Sequence, residues 1–316
     1  MSTSNNNIIP APKPLFTREY LHDIETELAK DGETVELRNI DGKVQKIPNC
    51  CRGAGLRDVE AGGQAIRNIV RFQGERAFKR RELLGRADGF LPVYPMPARF
   101  HGANRTYAEA KKRFVKIAEA FEASGEAQAM AEMIRTELKG CAVDKVMSFG
   151  LGTIGRVCPE LSHEYAYWEH AAARVIARAV REVSSAPTVA LLAQDPSYTD
   201  VCKKVLAEFD FQVIEGYGAK GFALVDDNSV VLAHHPNFPL REIIADLARP
   251  ALITMKAQHP EKEPLDFDQS FFADTDSMRS RIMMREYRRV FLAGTRQEVF
   301  HKNAWYVKKT NPPEAR

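Results

Sequence analysis

The chain has 316 residues, of which 44% are hydrophobic and 28% charged, and its formal net charge is +3. That balance predicts an ordinary soluble globular protein of one large or two modest domains, and excludes a disordered or fibrous chain. No run approaches the roughly 18–20 apolar residues of a membrane span, and the opening MSTSNNNIIPAPKP has neither the basic start nor the apolar stretch of a secretory signal.

Residues 1–14 read as a flexible tail. Thr17 is placed to cap a first helix, with Tyr20, Ile24 and Leu28 on one face. Two short alternating segments flank Asp41-Gly42 and predict a hairpin. Helical spacing runs over 56–84, broken at Gly62-Gly63, and the prolines at 92, 95 and 97 predict a loop or seam over 87–102. Residues 106–138 read as helix, interrupted at Ser124-Gly125. From residue 140 short apolar runs alternate with amphipathic helices. Strands are expected at 143–149, 188–193, 211–214, 222–225, 230–233 and 251–255. Helices are expected at 164–183, 199–209 and 239–247, with a closing strand at 290–293 and a helix after Thr295.

Alternation of this kind predicts an α/β fold: a Rossmann-like, mainly parallel sheet with helices on both faces. A mostly helical N-terminal region with a β-hairpin precedes it. The expected divisions are a tail at 1–14, an N-terminal region at 15–138, the α/β domain at 139–309 and a tail at 310–316. Five cysteines, Cys50, Cys51, Cys141, Cys158 and Cys202, form no CxxC pair. Reduced thiols in a cytoplasmic protein are expected, without a zinc site or disulfide frame.

Charge is unevenly spread. Residues 71–86 carry six basic against two acidic side chains, 279–309 nine against two, and 189–250 five against nine. Basic flanks around an acidic middle suit a protein that holds a polyanion outside and a cation inside; solvated helix faces give the same pattern.

Three motifs sit at expected strand ends. Gly150-Leu-Gly152-Thr153-Ile-Gly155 matches GxGxxG after a strand. Pro159 delays the following helix, and the next strand-end acid, Asp195, comes forty positions after Gly155 rather than about twenty. A glycine turn opening a ligand crevice therefore fits better than a dinucleotide cradle. Asp195-Pro-Ser197-Tyr198-Thr199 reads either as a polar crevice edge or as a turn before a helix capped by Thr199. His234-His235-Pro-Asn237 reads as a general base or ligand contact, or as a structural loop; a metal site lacks a visible third ligand. In the helix after Ser162, Tyr165, Trp168 and Glu169 share a face by i, i+3, i+4 spacing. Glu169 there either binds a cation between aromatic walls or faces solvent.

At FGLGTIG, LLAQDPSYTDVCKKVLAEFDFQVI and VVLAHHPNFPLREII the chain resembles the Sensitivity to Red Light Reduced family, over roughly residues 140–260. Many members carry M-P-H-C-P in the last loop; here it reads Ala233-His-His-Pro-Asn237, so a thiol role is not carried over. In length and basic N-terminal extension the chain is similar to a fungal branch of arginine-containing cyclodipeptide synthases. The resemblance implies a transferase of secondary metabolism that joins arginine and a second amino acid from aminoacyl-tRNAs into a diketopiperazine. The alternatives are a non-catalytic regulatory protein of the same family, or a nucleotide- or adenosyl-cofactor enzyme.

The synthase chemistry needs no ATP loop, and none is present; no resident cofactor or metal is expected. A tRNA grip is expected from Arg76, Lys79, Arg80 and Arg81, from Lys111, Lys112 and Arg113, and from Arg285, Arg288 and Arg289. Candidate catalytic groups are His234 or His235 as base, Ser148 or Ser197 as acyl acceptor, and Tyr198. Candidate substrate contacts are Gly150, Gly152, Thr153, Tyr165, Glu169, Asp195 and Asn237, with Glu215 and Asp226 as further acids for a guanidinium.

Overall fold

A computed structural model describes residues 13–49, 52, 59–61, 64–85, 89–100, 103–157, 164–234, 236–257, 274, 276–292 and 303–309. The N-terminal elements are α1 (Arg18–Ala29), β1 (Thr34–Arg38), β2 (Val44–Pro48), β3 (Val59–Ala61), β4 (Gln64–Phe72), α2 (Glu75–Leu83), β5 (Val93–Phe100), β6 (Ala103–Asn104), α3 (Tyr107–Glu122) and α4 (Gly125–Glu137). Then follow β7 (Lys145–Phe149), β8 (Arg156–Val157), α5 (Tyr165–Val183), β9 (Ala190–Gln194), α6 (Asp200–Ala207), β10 (Phe211–Val213) and α7 (Lys220–Ala223). The last are β11 (Ser229–Leu232), α8 (Leu240–Leu247), β12 (Leu252–Lys256), α9 (Met278–Met284), β13 (Tyr287–Val290) and β14 (Asn303–Lys308).

The central sheet has seven strands in the order β10-β9-β7-β11-β12-β14-β13; the first five run parallel, β14 runs antiparallel to β12, and β13 pairs antiparallel with β14. In order of appearance the parallel strands run third, second, first, fourth, fifth, the doubly wound arrangement. α5 and α6 cover one face together with α3 and α4, through Phe114, Met130, Ile176 and Val205 among others. α1, α7, α8 and the sheet of β3, β4 and β5 cover the other, through Leu21, Phe72, Phe222 and Ile243. The alternation read after residue 140 is thus the observed α/β architecture.

Several local expectations hold for stated reasons. Thr17 caps α1 by accepting from the Tyr20 N–H at 3.2 Å. β1 and β2 form the hairpin, its turn held by Asn39 Oδ1, which accepts from the Asp41 and Lys43 N–H groups. Ala123 closes α3, and Ser124 directly after it caps α4.

Others are corrected. Residues 64–72 form strand β4, not helix; among the described residues of the predicted 56–84 segment, 75–83 is the helical part. Ile66, Ile69 and Val70 stand at helical spacing, but β-branched residues fit a pleated surface better. The proline-rich 87–102 stretch contains β5 at a sheet edge. Pro95 pairs with Val70, whose N–H points away to Tyr217 O at 2.7 Å, so Pro95 and Pro97 direct their missing donors to the open edge. The segment expected as a strand at 222–225 begins in the short helix α7. The final expected strand lies earlier, at β13, and the helix expected after Thr295 falls outside the described residues. So do the tails (1–12, 310–316), Cys50, Cys51 and Cys158. Among the described residues no helix is long and apolar enough to cross a membrane.

Candidate functional site

β7 is the strand where the winding reverses: the chain passes to β9 and β10 by helices on one face, and to β11 and β12 by helices on the other. The ends of the two neighbouring connections diverge there and leave a crevice beyond the strand C-termini. A cavity of about 500 Å³ occupies that position, between the ends of β7, β9 and β11 and the β4–β5 strands.

One wall is aromatic. The Phe149 and Phe222 rings stack at 4.2 Å, and Phe72 and Phe238 meet Phe222 edge-on at 5.1 and 5.2 Å. Polar groups share the lining with it: Arg71, Asp195, Ser197 and Asn237. Gln194 is committed to the frame, donating to Gly218 O at 2.8 Å and accepting from the Gly221 N–H at 2.6 Å.

The glycine turn is held closed by Asp195. Its Oδ2 accepts from the Gly152 N–H at 2.7 Å, and its Oδ1 accepts from the Ser197 N–H and Oγ–H at 2.7 and 2.6 Å. Gly152 has φ +79°, a conformation that glycine adopts without a Cβ clash. The Gly150 N–H donates to Gln194 O, and the Gly155 N–H to Thr153 Oγ1 and Cys202 Sγ. A phosphate cradle needs such N–H groups free and pointing at the ligand, with a helix N-terminus behind them. Here the three glycine donors are taken, a carboxylate occupies the place of the anion, and α5 starts ten residues past Gly155. The turn therefore lacks the features of a dinucleotide site, and Asp195 combines its two expected roles: a crevice edge and the turn before α6, which Thr199 caps.

Behind this turn lies a buried polar layer. The His170 Nδ1 faces Ala166 O at 2.5 Å and its Nε2 faces the Tyr198 hydroxyl at 2.7 Å. A carbonyl only accepts, so Nδ1 carries the proton and Tyr198 donates to Nε2. Burial lowers the His170 pKa to about 4, which keeps the ring neutral. Burial also pushes the Tyr198 hydroxyl well above its ordinary value, with Asp195 adding to the shift. Glu169 is 7% exposed. Burial raises its carboxyl well above the usual range, and the Asp195 charge adds to that. Two carboxyls near one another thus differ in environment, Asp195 rich in donors and Glu169 desolvated.

The crevice brings together Gly150, Asp195, Ser197 and Asn237 from the sequence-derived set. Gly152 and Thr153 lie inside the turn. Tyr198 is buried against His170, and Tyr165 is half exposed outside the lining. Ser148 is fully enclosed: it pairs with Ala193 and Leu232 on the α5 face of the sheet, away from the cavity. His234 is 1% exposed, and its Nδ1 accepts from Asn303 Nδ2 instead of facing the crevice. His235 falls outside the described residues. Asp226 pairs with Lys145 at the opposite ends of the strands, and Glu215 pairs with Lys203. Among the described residues no His, Cys, Asp and Glu side chains gather in a metal-binding group.

The basic residues divide into separate surfaces. Arg76, Lys79, Arg80 and Arg81 lie on α2, directly after the crevice strand β4. Lys111, Lys112 and Arg113 lie on α3 across the sheet, where Lys111 pairs with Glu208 and Arg113 with Glu164. Arg288 and Arg289, with Arg285 just before them, stand at the β13 edge; Arg288 pairs with Glu137, and Arg289 lies over the Phe291 ring at 4.7 Å.

No protein-family model matches the chain, and no curated protein or solved structure is significantly similar to it. The site reading therefore stands on its geometry. That geometry adds Arg71, Phe72, Met96 and Pro97, which the sequence pattern assigns to a helix and a loop, and Phe149, Phe222 and Phe238. Both Phe149, the last residue of β7, and Phe238, in the loop between β11 and α8, stand inside the quoted motifs, and that position is their signal.

Proposed function

We propose that the chain is an aminoacyl-transfer enzyme, a tRNA-dependent synthase that joins arginine to a second amino acid as a diketopiperazine. The observation that carries the reading is the crevice itself. It brings a carboxylate, Asp195, and a guanidinium, Arg71, into one lining with an aromatic wall, beside a glycine turn whose donors are already used. An aminoacyl ester offers an ammonium, a polar carbonyl and a side chain, and these match the carboxylate, the guanidinium and the wall. A nucleotide cofactor finds no cradle in that turn.

The groups at the crevice take the following roles. Ser197 is the hydroxyl at hand, since Ser148 is enclosed, and its proton already lies on an Asp195 hydrogen bond. Attack of Ser197 Oγ on the first ester forms an acyl-serine, and the departing ribose hydroxyl takes the proton through Asp195. The α-amine of the second aminoacyl group then attacks the acyl-serine, forming the amide and breaking the Ser197 ester, and the proton the amine loses returns to Ser197 Oγ by way of Asp195. The free α-amine of the first residue then attacks the second ester, forming the second amide and releasing the ribose hydroxyl of the second tRNA, which takes up the proton the amine loses. This closure passes through a cis peptide at a cost of about 2.5–4 kcal/mol, and holding both ends in one chamber, worth roughly 7–11 kcal/mol, more than offsets it. Of the three basic surfaces, α2 adjoins the crevice wall and is assigned the tRNA contact.

Purified chain with arginyl-tRNA and mixed aminoacyl-tRNAs tests the reading. Transfer of labelled arginine into a cyclic dipeptide supports it. A Ser197→Ala chain that retains full transfer removes the acyl-serine step and leaves direct attack between two bound esters. A second reading, a non-catalytic regulatory protein, draws on the ion pairs of Lys111, Arg113 and Arg288, which suit a solvated surface. It predicts that no product forms.

A further inference from the structure

The wall of the crevice is fastened to the sheet by a buried cluster of acids that the proposed chemistry does not use. Glu242 of α8 is fully buried, and its Oε2 accepts from the Glu75 N–H at the start of α2, at 2.6 Å. Its Oε1 is enclosed and has no hydrogen-bond partner among the described residues. The carboxyl lies flat against Gly74, so close that a Cβ there would sit 2.7–2.9 Å from its atoms. Gly74 lies two residues past Phe72 and three past Arg71, both of the crevice lining.

The charges around Glu242 come from three elements. α2 contributes Glu75, which Lys79 reaches at 2.5 Å. α9 contributes Arg279, 3.5 Å from Glu75 and 2.7 Å from Asp246. α8 itself contributes Asp246, which also accepts from the Leu15 and Phe16 N–H groups, and Arg241, which is turned to Asp274. Three carboxyls, Glu75, Glu242 and Asp246, thus face two cations, Arg279 and Lys79. Among these described groups the charges balance when one carboxyl is neutral, and Glu242 is the one with no described cation in contact.

We infer that this junction is a proton-operated latch: with a proton on Glu242 it holds α2 and the β4 end against α8, and loss of that proton loosens the crevice wall. Burial and the neighbouring carboxyls raise the Glu242 pKa to about 7, against the Arg279 charge and the Glu75 N–H, which lower it. The folded junction binds the proton more tightly than the open one. Its stability is therefore greatest below the ordinary carboxylate range, falls as pH rises, and levels off above about 7. The latch does not depend on the reaction assigned to the crevice.

Hydrogen exchange of the intact chain tests it, read at the amides of Glu75, Ala77 and Phe78 and corrected for intrinsic rate. Protection should fall by up to about tenfold per pH unit between about pH 5 and pH 7, then level. Glu242→Gln keeps an acceptor for the Glu75 N–H and should abolish the slope. Lys79→Glu, an exposed change that spares the core, should move the levelling point to higher pH. A wild-type profile without a slope, a Glu242→Gln profile that keeps it, or a Lys79→Glu profile that levels where wild type does would each overturn the latch.

Discussion

Asp195 serves structure and chemistry with the same two oxygens. One oxygen holds Gly152 and the other holds Ser197, so the turn and the crevice hydroxyl share an anchor. Asp195→Asn keeps the shape but turns half of the acceptor set into a donor that faces N–H groups. A hydrogen bond to a charged group is worth about 1.5–3 kcal/mol. The expected outcome is a loss of transfer of at least about tenfold, with a cooperative unfolding transition retained; an unchanged rate would remove Asp195 from the chemistry. Glu169 permits a separate test. Its folded pKa is raised, so its contribution is full below the ordinary carboxylate range and is lost as pH rises. Glu169→Gln lacks that loss and should gain stability relative to wild type between pH 5 and pH 8. Urea unfolding at the two pH values measures it, and a constant difference would mean that Glu169 is not desolvated.

At the scale of elements, α1 shows how a distant segment decides local structure. Glu25 accepts from the Tyr217, Ala219 and Lys220 N–H groups at one end of α7, while Arg18 donates to Ala223 O and Val225 O at the other. An acid at the N-terminal end and a cation at the C-terminal end both complement the helix dipole. Glu25→Ala leaves several donors without an acceptor, and unfolding should report a loss of roughly 1.5–3 kcal/mol; a change within 0.5 kcal/mol, about the size of an ordinary surface substitution, would contradict the capping role. The same contact explains why 222–225 reads as a strand in sequence: its partner is almost two hundred residues away. β4 is masked by Ile66, Ile69 and Val70 at helical spacing, and β5 by prolines that only an edge strand tolerates. In contrast, α3, α4 and α6 carry their own caps in Thr106, Ser124 and Thr199, so their limits are legible locally.

Across the whole molecule, the strand ends are the legible part of the site and side-chain direction is not. Asp195, Ser197, Gly150 and Asn237 lie at or just past strand C-termini and reach the crevice. Ser148 is also near a strand end, but a strand alternates its faces with period 2. Met147 and Phe149 take the crevice side, which leaves Val146 and Ser148 against α5. That parity depends on which face each connection crosses, and the crossing is a property of the assembled sheet. The basic patches follow the same logic, since sequence clusters do not say which surfaces adjoin. Charge reversal of Lys79, Arg80 and Arg81 should weaken tRNA binding and reduce the slope of log affinity against log salt by about 0.7–0.9 for each phosphate that is no longer neutralised. Reversal of Lys112 and Arg289 should leave that slope nearly unchanged; equal effects at all three surfaces would contradict the assignment of tRNA to α2.

The most direct test of the central claim is mass spectrometry of medium from a host that expresses the chain and is fed labelled arginine. An empty-vector host and an Asp195→Asn host serve as controls. A cyclic dipeptide that carries the arginine label is expected, abundant with the wild-type chain, reduced with the variant and missing from the vector. Folded wild-type protein that yields no labelled cyclic dipeptide, in the host and again with purified aminoacyl-tRNAs, would contradict the claim.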